Sequence, residues 1–401
     1  MKIAVVGGGP SGFAAAIKAA EKYKDITIIE KNNKVLKKLS ITGNGKCNYF
    51  NEIQEITKYH SSYKNFEEVI NTKNINKVKS FWNNLGIIPY IKNGYYYPFT
   101  NNSNSIVTSL INKANNLGIK ILENIEINDI INYDNRFLLK GNNYSEYFDK
   151  IIIATGSLAY PKCGGTSFGY DIAKKFNHKI IKLNPALVQL VTNTGIEKKW
   201  NGIRCQVKVS YKNNRDVVKE ETGEIQLTDY GISGICVFNL SRDISIGLSK
   251  NQLEKVIINF IPWYKGYDFV QYLDKRSNDL EISNIINLCE SFINYKLLSA
   301  ILFKLKIKED TNWHDLTKVE KENFCHNLIS FNAQIIATKG FETAQVCSGG
   351  LDLAELDSKN LESKNIPNLY FCGELLDLDG DCGGYNLTIA VLTGIIVGES
   401  C

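Results

Sequence analysis

The first thirty residues constrain the fold of this chain more than any other stretch. A short β-branched apolar run, 2–6, leads into glycines with G-x-G-x-x-G spacing from Gly7 to Gly12. An alanine-rich segment and a second apolar run, 25–29, follow and end at Glu30. A dinucleotide-binding unit requires this context of strand, glycine turn, helix, strand and acid. The sequence therefore predicts a Rossmann-like α/β domain built on a parallel sheet.

Each position of this fingerprint has a physical role. Gly7 permits the tight turn, Gly9 lets the backbone approach a pyrophosphate, and Gly12 lets the helix pack on the strand. The N–H groups and dipole of the helix N-terminus favour phosphate. Glu30 can accept ribose hydroxyls and would repel a 2′-phosphate, so the expected adenosine belongs to FAD or NAD. The candidate contacts are Gly7, Gly9, Pro10, Ser11, Gly12, Glu30 and Lys31.

The composition limits the classes of function. A chain of 401 residues suggests two or three domains. The 47 basic and 42 acidic residues give a net charge of +5, and only five of the basic residues are arginine. Because arginine is favoured for contacts with phosphates and base edges, no nucleic-acid partner is expected. The expected partner is a small-molecule substrate, and the oligomeric state is left open.

The cysteines and apolar runs indicate the compartment. Ten cysteines are scattered singly, without C-x-x-C pairs or histidines at zinc-like spacing, so reduced thiols and no metal site are expected. No uninterrupted apolar run approaches the roughly eighteen residues of a membrane span. A soluble, cytoplasmic protein is the resulting expectation.

A second loop with cofactor-binding character follows at 37–48. Gly43 and Gly45 allow the backbone to approach a ligand where a chain wrapped around a dinucleotide would pass it again. A solvated surface turn explains the same composition equally well. Cys47 could present a thiol to a flavin, although a packing role is the preferred interpretation. The candidate contacts here are Gly43, Gly45, Lys46, Cys47 and Asn48.

An aromatic run, 94–100, stops at a proline and precedes a helix predicted over 103–117. Its four aromatic side chains could line a flat substrate pocket. Aromatic clusters at strand ends more often pack in the core or along an edge, so the packing interpretation is preferred.

The run 151–157 predicts another buried parallel strand, and it ends in a small-residue turn containing Thr155 and Gly156. In the two-dinucleotide flavoprotein fold, a turn of this kind passes the cofactor. The glycine-rich loop 158–171 matches neither a second G-x-G-x-x-G nor a P-loop. Any nicotinamide must therefore bind without a Rossmann motif of its own.

The pattern then changes to that of an inserted domain. Residues 187–334 are predicted to form a β-rich part, 187–247 and about 320–334, with a helical part at about 250–318 that includes 252–260. The flanking segments, 1–186 and 335–401, are predicted to form the FAD-binding Rossmann-like domain.

The C-terminal segment carries the cofactor pattern again. An apolar strand ends at Gly373 and Glu374, and a glycine-rich acidic loop then opens a small apolar helix predicted over 388–397. Asp377 or Asp381 could bind flavin ribityl hydroxyls. The helix N-terminus could face the ring where negative charge grows on reduction. The candidate contacts are Gly373, Glu374, Asp377, Gly380, Asp381, Gly384, Tyr385, Asn386 and Leu387.

A metal-binding loop is the alternative for this segment. Counted from Asp377, an EF-hand needs glycine at the sixth position and glutamate at the twelfth, where Cys382 and Thr388 stand. Calcium is therefore not expected.

Together these motifs resemble the BaiN/RdsA-type flavoproteins, a family that includes aminoacetone-oxidase-like enzymes, over nearly the whole chain. The matching segments are 7–12, 42–48, Tyr160-Pro161 with its trailing glycines, 231–234 and 373–387. Two places depart from the usual pattern: 345–348, commonly threonine-rich, and Cys382, often a small hydroxyl residue.

This resemblance implies non-covalent FAD in a domain built from both chain ends, and adenine contacted by the backbone of Ile127. Members are NAD(P)H-linked reductases of conjugated ketones, including steroid-like ones, or amine oxidases. The leading hypothesis is an FAD-dependent oxidoreductase that moves a hydride through flavin N5, with NADH or NADPH as donor. Tyr160, Cys163 and Tyr385 are candidate proton donors, and none is assigned. A flavin amine oxidase, a tRNA-modifying flavoprotein and a non-catalytic redox sensor are the alternatives.

Overall fold

The computed structural model describes residues 1–133, 136–213 and 216–401. It divides into two compact units. The first unit is 1–184 with 345–401, and the insert unit is 185–344. The first predicted boundary, between 186 and 187, lies two residues beyond the observed one. The second, between 334 and 335, falls inside a strand and comes ten residues too early.

In chain order, the strands are β1 Lys2–Val6, β2 Asp25–Ile29, β3 Phe50–Asn51, β4 Tyr59–His60, β5 Pro89–Lys92, β6 Tyr95–Pro98, β7 Lys120–Leu122, β8 Ile127–Tyr133, β9 Arg136–Gly141, β10 Tyr144–Phe148, β11 Lys150–Ile153, β12 Ile180–Ala186, β13 Leu190–Thr192, β14 Arg204–Asn213, β15 Asp216–Leu227, β16 Gly231–Ser233, β17 Glu254–Asn259, β18 Phe331–Thr338, β19 Val346–Leu351, β20 Leu369–Phe371 and β21 Asp379–Gly380. The helices are α1 Pro10–Ala19, α2 Lys37–Ile41, α3 Thr72–Asn84, α4 Ser103–Asn116, α5 Phe168–Lys175, α6 Glu197–Trp200, α7 Ile235–Leu248, α8 Phe269–Leu280, α9 Ile285–Cys289, α10 Tyr295–Leu305, α11 Lys318–Ile329 and α12 Tyr385–Ser400. Short 3-10 turns occupy Thr42–Gly45, Ile56–Lys58, Phe66–Glu68, Pro161–Cys163, Trp313–Asp315 and Leu353–Glu355.

A parallel sheet in the order β20-β11-β1-β2-β7 forms the centre of the first unit. β1 and β11 are continuous apolar runs because both faces of such a sheet are covered. The predicted strand, glycine turn, helix and strand of the first thirty residues are β1, α1 and β2. The Rossmann-like fold class is confirmed.

The two ends of the chain meet where α1 packs on α12. A Cβ built on Gly394 would lie 2.3 Å from Ser11 O, and one on Gly398 would lie 2.3 Å from Ala15 O. The two glycines are four residues apart on one face of α12, so the helix backbones approach closely. The C-terminal helix is therefore part of the N-terminal dinucleotide-binding core.

The insert unit is a closed barrel, β13-β16-β15-β14-β17-β18, accompanied by the helices α8 to α11. The helix predicted over 252–260 is wrong: strand β17 lies there, because Val256, Ile258 and Phe260 are buried with a period of two. The β-rich expectation is also wrong for 235–248, which forms α7. Within the part expected at about 320–334, the residues 318–329 have helical spacing and form α11, so only the end of that part is a strand. Tertiary packing in the barrel overrides these local patterns.

Within the described residues, no helix combines the length and apolar character needed to cross a membrane.

Candidate cofactor site

The β1–α1 turn contains glycines of two kinds. Gly7 has φ +113°, and a Cβ on it would lie 2.4 Å from Ala154 O, while one on Gly12 would lie 2.1 Å from Gly7 O. The packing of the protein itself therefore requires both glycines. A Cβ on Gly9, in contrast, would meet no described atom within 4 Å. The open space at Gly9 fits a group that binds from outside, as expected for a pyrophosphate.

The N-terminus of α1 faces the same space. Pro10 occupies the first turn, and no side chain among the described residues caps the helix. The N–H groups of the first turn have no partner within the helix, so they remain available to an anion.

Glu30 lies directly after β2 and is buried. Its Oε2 accepts the Gly8 N–H at 2.8 Å, and its Oε1 accepts the Asn32 N–H at 2.8 Å and the Asn32 side-chain amide at 2.6 Å. The carboxylate is thus oriented by the glycine turn and by its own loop. Since each carboxylate oxygen has two lone pairs and Oε1 already accepts two hydrogen bonds, one lone pair remains on Oε2 for a ribose hydroxyl. Lys31 follows it in the same loop.

Backbone hydrogen bonds join this loop to the segment before β8. Asn124 N donates to Asn32 O and Ile125 N donates to Glu30 O, both at 3.0 Å. The buried residue Ile127 begins β8 two residues later. The structure therefore brings Ile127 close to the acid expected to hold the ribose, as an adenine contact requires.

The segment 42–48 is not simply a solvated turn. Gly43, Asn44, Gly45 and Cys47 all have φ between +57° and +81°. Gly43, Asn44 and Lys46 are exposed, whereas Cys47 is completely buried. Burial raises the pKa of the Cys47 thiol to about 12, against the lowering effect of its hydrogen bond with Thr42. The thiol is therefore neutral near pH 7, which agrees with a packing role.

Asn48 ends this segment and faces α12. Its Oδ1 is buried without a hydrogen-bond partner among the described residues, and it lies 3.0 Å from a Cβ built on Gly384. A buried acceptor without a donor carries a free-energy cost that a bound donor would relieve. Thr155, which follows β11, also has a buried Oγ1 without a hydrogen-bond partner among the described residues. The adjacent Gly156 has φ +73° and open space at its Cβ position.

The end of β20 is held by both chain ends. Gly373 has φ +83°, and its Cβ position lies 2.4 Å from Ser11 Oγ on α1. Its N–H donates to Thr393 Oγ1 on α12 at 2.9 Å. The neighbouring Glu374 accepts a hydrogen bond from the Ser157 hydroxyl, and its Oε2 lies 2.7 Å from Lys38 Nζ. Sequence reasoning missed Lys38, because a single lysine on a short helix has no distinguishing pattern.

The acidic loop is clamped by a segment that sequence reasoning also missed. β21 pairs with β4 in antiparallel register. Asp377 Oδ2 accepts the Ser62 N–H at 2.9 Å and also the Ser62 hydroxyl. Asp381 lies 3.1 Å from His60 Nε2 and 3.4 Å from Lys58 Nζ.

Both carboxylates of this clamp are nearly inaccessible, and their observed partners are protein groups. Gly380, between them, belongs to β21. The alternation of polar side chains at Lys58, His60 and Ser62 is compatible with a strand, but it does not indicate which distant segment that strand pairs with. Among the described residues, no group of three or more His, Cys, Asp or Glu side chains could hold a metal.

The N-terminus of α12 closes the site. Gly384 has φ +96°, and its Cβ position lies 2.8 Å from the Phe50 carbonyl. No side chain among the described residues caps this helix. The Asn386 side chain instead binds the acidic loop before α12: it accepts a hydrogen bond from the Gly380 N–H at 2.9 Å and donates one to Gly380 O at 2.7 Å. The N–H groups of 385–387 therefore lie at the positive end of a helix dipole.

The three candidate proton donors are not equivalent. Tyr385 lies at the start of α12, where its ring packs edge-on against Tyr59 with centroids 5.5 Å apart, and burial raises its pKa. Tyr160 precedes the 3-10 turn Pro161–Cys163, and Cys163 is its last residue. The next residue, Gly164, has its Cβ position 2.5 Å from Asn32 Nδ2. That loop therefore lies beside the Glu30 end of the site.

These features fit FAD: open space at Gly9, an oriented Glu30, unpartnered oxygens on Asn48 and Thr155, and an uncapped α12. Fold and site define a Rossmann-type flavoprotein. The family model described as "HI0933-like protein Rossmann domain" matches residues 1–400, and the chain belongs to this family. The resemblance to BaiN/RdsA-type proteins is thereby confirmed, and the chain is an FAD-dependent oxidoreductase.

Two relatives and one solved structure illustrate the similarity. The chain is 31% identical over 402 residues to the 3-dehydro-bile acid delta(4,6)-reductase of Clostridium scindens, covering 100% of this chain and 98% of the relative. It is 25% identical to the ribosomal RNA dihydrouridine synthase of Escherichia coli, covering 95% and 93%. The 3-ketosteroid-delta4-(5alpha)-dehydrogenase of Rhodococcus jostii RHA1 shares the fold, with a TM-score of 0.51, 12% identity and coverage of 100% and 96%.

Proposed function

We propose that this chain is an NAD(P)H-linked reductase of a carbon–carbon double bond conjugated to a ketone, in a small or steroid-like substrate. The observation that carries the proposal is the uncapped N-terminus of α12 with the unpartnered Asn48 oxygen opposite it. The Clostridium scindens relative, whose name describes a reductase of a 3-dehydro-bile acid, supports the substrate class. The reaction consumes one hydride from the reduced nicotinamide and one proton.

Bound FAD supplies the hydride-transfer chemistry. The residues of this chain bind and orient it. The α1 turn and Gly9 would hold the pyrophosphate, Glu30 would accept a hydrogen bond from a ribose hydroxyl, and Asn48 would offer its Oδ1 as an acceptor to the cofactor. The N–H groups at the start of α12 would stabilise negative charge that develops beside them. Lys38, Ser157 and the clamp at Lys58, His60 and Ser62 keep the carboxylates of Glu374, Asp377 and Asp381 in place.

Stopped-flow measurements on the purified yellow protein test the proposal. Without oxygen, NADH or NADPH should bleach the flavin absorbance, and 2-cyclohexenone or 4-androstene-3,17-dione should restore it. A parallel experiment with benzylamine tests for an amine oxidase. In an amine oxidase, benzylamine rather than NADH or NADPH would bleach the flavin absorbance. Failure of both nicotinamides to bleach the flavin, or of both ketones to restore it, would contradict the proposal.

A second candidate is reduction of a base in RNA, since the Escherichia coli relative is named as a ribosomal RNA dihydrouridine synthase. The net charge of +5 and the five arginines weigh against it. An electrophoretic mobility shift with ribosomal RNA at low salt tests this candidate, because phosphate contacts are strongest there. Flavin reoxidation by the RNA, but by neither ketone, would favour it.

The thiols do not support a redox sensor. Of the ten cysteines, seven are buried, and Cys163, Cys205 and Cys382 are half-buried. Burial raises the pKa of Cys205 to about 12 and that of Cys236 to about 11. Sensor cysteines need exposure and a lowered pKa.

A further inference from the structure

The hairpin formed by β5 and β6 has two different faces. Its register pairs Tyr90 with Tyr97 and Lys92 with Tyr95, and Phe99 N donates to Ile88 O at 2.8 Å beyond the strand ends. Because side chains alternate along a strand, these paired residues share one face. We call this set the aromatic face: Ile88, Tyr90, Lys92, Tyr95, Tyr97 and Phe99.

Core packing on the opposite face of the hairpin accounts for only part of the aromatic run 94–100. Tyr96 is 7% exposed and packs edge-on against Phe50, with centroids 5.4 Å apart. This side chain has the core-packing role that is usual for such clusters. Its cross-strand partner Ile91 is 46% exposed, so packing on this face is confined to β6. On the aromatic face, Ile88 is 69%, Tyr90 43% and Phe99 71% exposed. Large apolar side chains exposed together mark a binding surface more often than scattered ones do.

The aromatic face runs directly into the cofactor site. Tyr95 Cε1 lies 2.7 Å from the Cβ position of Gly383, and Asn51 Nδ2 donates to Gly383 O at 2.9 Å. Burial raises the pKa of Tyr97, and Tyr95 and Cys382 contribute to the increase, so its hydroxyl lies near both. The half-buried end of the face therefore adjoins the loop that opens α12. Its exposed end extends roughly 13 Å further along β6, at about 3.3 Å per residue.

We propose that the aromatic face binds the flat apolar ring system of a polycyclic ketone, whose conjugated carbons then lie at the N-terminus of α12. The inference rests on the proposed function and names the substrate class of the same site. Lys92 is the only charged member of the face, so the surface suits an apolar skeleton better than a phosphate backbone. Cys382, which departs from the usual family pattern, adjoins Tyr97 and belongs to the same wall.

Two exposed positions test the proposal with little risk to folding: Tyr90→Ser and Phe99→Ala. Tyr147→Ser is the matched control, because Tyr147 is also on an antiparallel strand of the first unit and is 45% exposed, against 43% for Tyr90. In each holoenzyme, kcat and KM are measured for 4-androstene-3,17-dione and for 2-cyclohexenone. The dissociation constant of the steroid is measured from its perturbation of the oxidised flavin spectrum.

Each test variant should raise the dissociation constant of the steroid about tenfold, and lower the ratio of kcat/KM for the steroid over 2-cyclohexenone by a similar factor. The control should change neither quantity. An unchanged ratio in both test variants would overturn the inference while leaving the proposed function intact.

If the wild-type protein reduces neither ketone, the proposed function fails. The spectral titration with the steroid then decides by itself whether the aromatic face binds a polycyclic ketone. Saturable steroid binding that weakens in Tyr90→Ser would support the aromatic face. Absence of steroid binding would overturn it, as would a ribosomal RNA mobility shift that these variants abolish.

Discussion

The helices α1 and α12 come from opposite ends of the chain and pack together in one core, yet their N-termini are built differently. Backbone crowding defines the α1 turn, since carbonyl oxygens occupy the Cβ positions of Gly7 and Gly12. The start of α12 is defined by side chains and loops that belong to distant segments. Asn48 and the Phe50 carbonyl crowd Gly384, and Tyr95 crowds Gly383.

The difference explains what each terminus reveals in the sequence. A turn set by backbone sterics requires glycine at fixed spacing, so it can be recognised from sequence alone. A helix start set by tertiary contacts leaves only a composition, glycine-rich and acidic, which allows several functions. The two termini should therefore respond differently to substitution, and ADP, which carries only the adenosine and pyrophosphate part of FAD, can distinguish them.

The largest effect is expected at the α1 turn. Gly12→Val should prevent folding of the first unit, because the added Cβ would lie 2.1 Å from Gly7 O, where neither backbone can move aside. Thermal unfolding followed by circular dichroism measures the loss, and the ratio of flavin to protein absorbance should fall to zero. A stable, yellow Gly12→Val protein would contradict the packing described for this turn.

Gly9→Ala is the matched control at the same turn. No described atom lies within 4 Å of the new methyl group, so the apoprotein should unfold within about 2 °C of wild type. Its affinity for both ADP and FAD should fall at least tenfold, because the methyl group occupies the space expected for the pyrophosphate. Unchanged ADP affinity, measured by calorimetry, would place the pyrophosphate elsewhere.

The next effect concerns the contact between the helices. Gly394→Ala adds a Cβ 2.3 Å from Ser11 O and should cost about 1–3 kcal/mol of unfolding free energy, as overpacking does. Urea unfolding of the apoprotein measures it. The control on the same helix is Glu399→Gln, which removes partly exposed ion pairs with Lys77 and Lys18 and should cost no more than about 1 kcal/mol. Equal losses would mean that the close backbone approach is not needed.

A smaller and more selective effect is expected at the acidic loop. Asp381→Asn removes the charge that pairs with Lys58 and His60 and should loosen the segment leading into α12. FAD affinity should fall severalfold and the flavin spectrum should shift, while ADP affinity stays within twofold of wild type. Asp149→Asn, which breaks an ion pair with Arg136, is the control. A matching loss of ADP affinity in Asp381→Asn would contradict the separation of the two termini.

The contrast between backbone sterics at α1 and tertiary contacts at α12 also describes how much of the structure the sequence predicts. The parallel sheet, the α1 turn and the helix at the C-terminus follow from periodicity and glycine spacing, whereas the number and order of the strands do not. Strand β17 does not, because six residues of mixed polarity fit a helix or a strand until the barrel buries alternate ones. The site contacts of Lys38, Lys58 and His60 also could not be predicted. Each pairs with an acid more than three hundred residues away, and isolated basic residues carry no spacing signal.

The smallest expected effect is a difference in the labelling rate of two thiols, Cys47 and Cys382, which belong to the two segments next to the N-terminus of α12. The pKa of Cys47 is raised to about 12 by burial, so its thiolate fraction rises about tenfold per pH unit between pH 7.5 and 10 and stays small throughout. Cys382 is half-buried in the loop before α12. Iodoacetamide should therefore label Cys382 of the apoprotein well before Cys47 at pH 8.5, as measured by peptide mass spectrometry, and bound FAD should slow the labelling of Cys382. If Cys47 reacted as fast as Cys382, segment 42–48 would be open to solvent in solution, and Asn48 would lose the position from which it faces α12.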